Sequence, residues 1–276
     1  PPLYDAYQEY LRGLELFGMD YEQAVRYFVR AVELDPTFTQ ANLYISVAYG
    51  NQGQYEKAND LLQAVLRSRD ELSPLENRML DWWDANLNGQ TEKALRFLRE
   101  AEKLAPDQYM IKYLVGLYAL ILNRPRETVK TYAWMDSRDP RIYFTRPATA
   151  WWFEVLADAH HMLGEYGKEL KVAEQGENYF PKTMGFPAAK ARAFAALGKI
   201  GEVRKVIEGC VDADATSGTP GGVMMEAARE LYAHGHRDAS REMADMAIAW
   251  AESRPEAEKK TEASQSFYAD ALYQAG

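Results

Sequence analysis

Cysteine is all but missing: Cys210 is the only one in 276 residues. One thiol makes no internal disulfide and no multi-cysteine metal cluster. Long apolar runs are missing too. The longest near-continuous one, Tyr113 to Leu122, is about half the ~20 residues that a membrane-crossing helix needs. β-Branched residues are scarce: Val, Ile and Thr together number 31, against 39 alanines and 26 leucines. Ala and Leu lose little entropy in a helix, whereas branched side chains suit strands, so the imbalance predicts an all-α chain. There is no Asn-x-Ser/Thr acceptor, no His-Glu-x-x-His, no Walker loop, no Gly-x-Ser-x-Gly and no dinucleotide-binding glycine fingerprint. Positive charge is in deficit. The formal net charge is −9, and an acidic surface repels a phosphate backbone, so nucleic acid is not the expected partner.

What the chain does have is self-similarity at a fixed spacing. Tyr21-Glu-Gln-Ala24 returns 34 residues later as Tyr55-Glu-Lys-Ala58, and Gly89-Gln-Thr-Glu-Lys-Ala94 follows 36 after that. Pro36, Pro106, Pro140 and Pro181 each close a run of helical character, while Gly18, Gly53, Gly89, Gly164, Gly198 and Gly235 punctuate the middle of the units. Each unit therefore reads as two amphipathic helices joined by a tight turn at glycine. The alanine opening the second helix is small enough for a close crossing. The residue four later (Phe28, Leu62, Leu98, Tyr132) lies on the same face and fills the gap between helices. Ser73-Pro-Leu-Glu76 is a capping box with proline at the first helical position.

These features resemble the tetratricopeptide repeat, and the best match is Ile45-Ser46-Val-Ala-Tyr49 followed by Gly53-Gln-Tyr55-Glu-Lys-Ala58. Residues 3–140 hold four well-matching units. Residues 147–250 hold three divergent ones, in which Glu169 or Leu170, Val203 and Ser240 stand in the place of the second-helix alanine. Residues 256–276 read as part of an eighth, and the opening Pro1-Pro2 and the stop within a repeat suggest a piece of a longer protein. The resemblance implies a right-handed superhelical solenoid of antiparallel helix pairs. A single array over 1–276 is expected, because stacked repeats share one core, with bends at 136–147 and at the glycine-rich 216–222. Leu72-Ser-Pro-Leu-Glu76, Asn123-Arg-Pro125 and Tyr232-Ala-His-Gly235 further resemble the repeat regions of bacterial regulators that carry a kinase or winged-helix domain.

In such an array the first helices line a concave groove, and the resemblance implies a non-catalytic scaffold that binds a protein or peptide there. Projecting that face gives Met79, Trp83 and Asn86 from the third unit and Tyr113, Leu117 and Leu120 from the fourth. The fifth adds Trp151, Glu154, Asp158 and His161, and the last two add Arg192, Met225, Arg229 and Tyr232. Of the pairs Trp82-Trp83 and Trp151-Trp152, one member at most points inward. The carboxylate-clamp form of this fold uses Lys and Asn at inner positions, where the second unit here has Leu43 and Val47. Two other readings stay open. One is a sensory module with a small-ligand pocket around Trp83, Tyr113 and Trp151. The other is a hydrolytic site at Glu154, Asp158 and His161. No metal or cofactor is expected. His161 and Glu165 stand at i, i+4 and are placed to touch; His234 and His236 flank a turn glycine as C-capping groups; Cys210 reads as a small buried residue. The glycine-rich stretch reads as a connecting loop. The sequence names no compartment: cytoplasmic by default, outside it if a membrane anchor precedes.

Overall fold

The computed structural model describes residues 2–67, 69–133, 150–213, 215 and 217–276. The expectations for Pro140 and for a bend at 136–147 lie outside them. Among the described residues there are sixteen α-helices and no strand, only an isolated bridge between Thr183 and Ser217. The chain forms two compact units, residues 1–149 and 150–276.

The first unit runs α1 (Tyr4–Leu16), α2 (Tyr21–Leu34), α3 (Thr39–Asn51), α4 (Tyr55–Leu66), α5 (Pro74–Leu87), α6 (Thr91–Leu104), α7 (Tyr109–Ile121) and α8 (Pro125–Tyr132). The second runs α9 (Trp151–Met162), α10 (Tyr166–Tyr179), α11 (Gly185–Ala196), α12 (Ile200–Cys210), α13 (Pro220–Ala233), α14 (Arg237–Glu252), the single turn α15 (Glu256–Lys259) and α16 (Glu262–Ala275). Helices pair in chain order, α1 with α2 through α13 with α14, as the spacing predicts. At six of the seven turns the backbone passes through a glycine with positive φ, the conformation that lets the chain reverse after a helix end. The α7–α8 turn has no glycine and uses Asn123 instead, at φ 57°; asparagine is among the few other residues that visit this region. The capping box before α5 is formed: the Glu76 N–H donates to Ser73 Oγ at 3.2 Å, and the Ser73 N–H to Glu76 Oε2 at 2.9 Å.

The fourth residue of every second helix is the crossing point, and each one is fully or almost fully buried: Ala24, Ala58, Ala94 and Thr128 in the first unit, Glu169, Val203 and Ser240 in the second. This places Glu169, not Leu170, where other pairs carry a small residue. Hydroxyls at these crossings bond to backbone twelve residues away. Ser46 Oγ donates to the Ala58 carbonyl (2.6 Å), Thr128 Oγ1 to that of Gly116 (2.9 Å) and Ser240 Oγ to that of Ala228 (2.8 Å). Phe28, Leu62, Leu98 and Tyr132, four residues beyond the crossing, are buried as expected.

The glycine-rich stretch is only partly a loop. Pro220 to Gly222 form the first turn of α13, with Thr219 Oγ1 accepting from the Gly222 N–H at 3.1 Å. Gly221 is buried beneath two rings of the following helices: a Cβ there would stand 2.4 Å from Trp250 Cε3 and 2.8 Å from Phe267 Cζ.

Candidate functional site

In the first unit the inner residues divide by burial. Met79, Leu117 and Leu120 are partly exposed. Trp83, projected to face a partner, is 3% exposed and belongs to the core. Its ring covers Gly50 of α3, where a Cβ would stand 2.6 Å from Cζ2, and its indole N–H donates to Ser46 Oγ at 2.7 Å. A helical-face projection cannot see this, because the neighbouring repeat supplies the cover. Tyr113 is buried as well, and its backbone carbonyl accepts from the Tyr132 hydroxyl at 2.8 Å. Asn86 is half-buried, with Oδ1 accepting from Tyr118 at 2.5 Å. Both members of the Trp82-Trp83 pair are interior; of the Trp151-Trp152 pair, Trp152 is buried and Trp151 partly exposed.

The second unit gathers its inner residues into a polar network around a carboxylate. Glu169 is 0% exposed. Its Oε1 accepts from Arg192 Nε of α11 at 2.9 Å, and its Oε2 from His161 Nδ1 of α9 at 2.9 Å. Arg192 Nη2 also donates to Asp158 Oδ1 at 2.7 Å. On its far side His161 Nε2 lies 3.5 Å from Glu230 Oε2 of α13, and Glu230 Oε1 accepts from His234 Nε2 at 2.9 Å. Three first helices, α9, α11 and α13, thus meet over one second helix, α10. His161 and Glu230 approach each other although α11 intervenes in sequence; its end carries the small side chains Ala193, Ala195 and Ala196. The Tyr166 ring sits between the imidazoles, 5.4 Å from His161 and 6.1 Å from His234.

One helix further on, Arg229 pairs with Asp270 of α16 and with Glu226 at 3.1 Å. Tyr232 is 54% exposed, with the Arg237 guanidinium over its ring at 5.5 Å. Met225, projected onto the same face, is buried in the core between α13 and its neighbours.

Other polar expectations shift by a residue or a partner. Glu165 bonds His160 (2.7 Å), not His161, because the turn at Gly164 breaks the helix and the i, i+4 spacing no longer applies across it. His234 reaches back to Glu230 along its own helix rather than capping carbonyls with its ring. Cys210 is buried, its thiol directed to the Ile207 carbonyl at 3.4 Å. Glu154, Asp158 and His161 are not hydrogen-bonded to one another among the described contacts: Asp158 is engaged by Arg192, and His161 by Glu169 and Glu230. Among the described residues no three His, Cys, Asp or Glu side chains are grouped to hold a metal ion.

Glu154 lies at the edge of the network, near enough to Asp158 to feel its charge. It packs against the start of α11, where a Cβ on Gly185 would be 2.0 Å from Oε1. Burial, with the Asp158 charge as the second cause, pushes its carboxyl up to about 7. The fold therefore holds this proton more tightly than the unfolded chain does. Stability from this group is present below the ordinary carboxylate range and is lost as pH rises to about 7. Glu154→Gln should match the parent near pH 5 and exceed it at pH 8 by about 2–3 kcal/mol. Urea midpoints at the two pH values check this, and equal differences would contradict it.

No family model and no curated protein sequence matches this chain. Solved structures do. A tetratricopeptide repeat protein from Parabacteroides merdae is similar with a TM-score of 0.53 at 13% identity, covering 97% of this chain and 98% of that one. The APC/C hetero-tetramer Cut9-Hcn1 contains a chain that is similar with a TM-score of 0.58 at 9% identity, covering 98% of this chain and 52% of that one. At such identities the likeness is one of fold: this is an all-α helical-repeat solenoid of tetratricopeptide type.

Proposed function

We propose that this chain is a non-catalytic scaffold that holds a protein or peptide segment along the inner face of its first helices, and that it serves within a larger bacterial regulatory protein. The observation that carries the reading is the row Asp158–Arg192 and Arg229–Asp270, in which successive first helices of the second unit place side chains edge to edge along one face. A continuous face of this kind accepts an extended or helical segment. Both arginines already have carboxylate partners within the chain, so they do not stand as bare clamps for an anionic terminus. Recognition then falls to the exposed Tyr232, the partly exposed Trp151 and Glu154 beside them.

The test is selection of peptides from a random display library on the full chain, followed by fluorescence polarisation of the enriched sequences. Tyr232→Ala should weaken them about tenfold or more, as loss of an aromatic anchor does, without lowering the melting temperature of so exposed a position. Peptides that bind the variant as tightly as the parent would remove the inner face of the second unit as the site.

A further inference from the structure

A cavity of about 580 Å³ opens between the end of α14, the turn α15 and the start of α16. None of its lining residues belongs to the inner-face set described above. Its size falls within the range of small-molecule sites. Trp250 and Phe267 form one wall, their ring planes at 79° and their centroids 5.7 Å apart. Both rings are seated by Gly221, the position where any side chain would displace them. Tyr268 adds a third ring, fixed by its hydroxyl donating to Glu252 Oε1 at 2.8 Å.

The polar groups at the cavity are mostly spoken for. Glu252 is taken by Tyr268, Lys259 by Glu256 at 2.9 Å, and Thr261 Oγ1 by the Ser264 N–H at the start of α16. Glu258 lies on the exposed rim. Arg254 differs. Its guanidinium lies over the Trp250 ring at 4.9 Å, and one Nη donates to Ser253 Oγ at 3.2 Å. Its Nε is buried and has no hydrogen-bond partner. No carboxylate pairs with this guanidinium among the described residues, so of the cavity's polar groups it is the one a ligand carboxylate would serve.

We propose that this cavity binds a small planar aromatic carboxylate, with its ring against Trp250, Phe267 and Tyr268 and its carboxylate accepting from the outer, Nη nitrogens of Arg254. Aromatic walls supply area to a flat apolar body, and the guanidinium supplies orientation. The site is independent of the peptide reading, and either can fail while the other stands.

Isothermal titration of the full chain tests it with 2-naphthoate as the probe, 2-naphthylmethanol as the neutral analogue and acetate as the ringless one. Naphthoate should bind, with the alcohol and acetate each at least about tenfold weaker. Arg254→Met should reduce naphthoate affinity by about tenfold or more and leave the alcohol unchanged. Ala263→Phe, at an exposed lining position where a larger side chain disturbs no core, should weaken both aromatic probes by obstruction. No naphthoate binding at millimolar concentration, equal affinity for naphthoate and the alcohol, or undiminished binding by Arg254→Met would overturn the proposal. Should Arg254→Met fail to fold by circular dichroism, the naphthoate-to-alcohol ratio and Ala263→Phe decide it alone.

Discussion

Arg192→Met is expected to destabilise the protein by about 3–5 kcal/mol, the effect of removing one partner from a buried ion pair. The reason is Glu169. With 0% exposure its carboxylate has no water to turn to, and Arg192 supplies its only permanently charged partner among the described contacts. Glu169→Ala should be milder, about 1–2 kcal/mol, because the orphaned guanidinium keeps Asp158 and some solvent access. The double variant is the decisive one. It removes both charges at once and restores at residue 169 the alanine found at three other crossings, so it should return to within about 1 kcal/mol of the parent. Asp158 is then left without its arginine, but nearly half of its side chain is exposed and water can serve it. Urea unfolding of the four proteins at pH 7 measures the coupling. If the double variant loses the sum of the single losses, the two groups do not act as a unit.

The same residue marks the limit of what the sequence discloses. The helix pairs were legible because their signals are local: a turn glycine, an alanine three residues into the next helix, a filler four residues further. Asn123 escaped that pattern only because it performs the glycine's task with another side chain. Glu169, by contrast, reads from sequence as a lapse in the pattern, a charged residue where a small one belongs. Its partners stand 23 residues downstream at Arg192 and 8 upstream at His161, on helices whose approach depends on how a helix pair closes and how the next pair stacks on it. Asp158, His161 and Arg192 were recognisable as members of one face, since Asp158 and His161 stand three apart on one first helix and Arg192 takes the register of Asp158 on the next. That they are joined to each other through a second-helix carboxylate was not. A visible clue existed in retrospect: one charged residue at a crossing position implies charged partners nearby, because burial without them is costly. The misplaced residues share a different cause. Trp83, Tyr113 and Met225 lie in the correct register for the inner face, yet burial there is decided by how far the preceding or following repeat overlaps them. Helical periodicity contains no information on that overlap.

Trp83 turns this distinction into the second large prediction. Had it been an anchor for a partner, Trp83→Ala would leave folding intact and reduce binding alone. As a core residue 3% exposed, it should instead cost about 3–5 kcal/mol, the range for truncating a buried aromatic to alanine. The loss has two parts that separate variants resolve. The larger is packing: the ring fills the space over Gly50, which has no side chain to collapse into the void, and touches Trp82 with centroids 5.6 Å apart. The smaller is the indole N–H. Ser46 Oγ spends its proton on the Ala58 carbonyl and accepts from Trp83 at 2.7 Å, so the three groups tie α5, α3 and α4 together. Trp83→Phe keeps most of the ring and removes the donor, and should cost about 1–2 kcal/mol. Ser46→Ala removes the acceptor and leaves the indole N–H buried without a partner, with a loss of similar size. Combining Trp83→Phe with Ser46→Ala should therefore cost less than the sum of the two, because neither orphan remains. Urea midpoints followed by far-ultraviolet circular dichroism measure all four variants; an unchanged midpoint for Trp83→Ala would return the residue to the binding face.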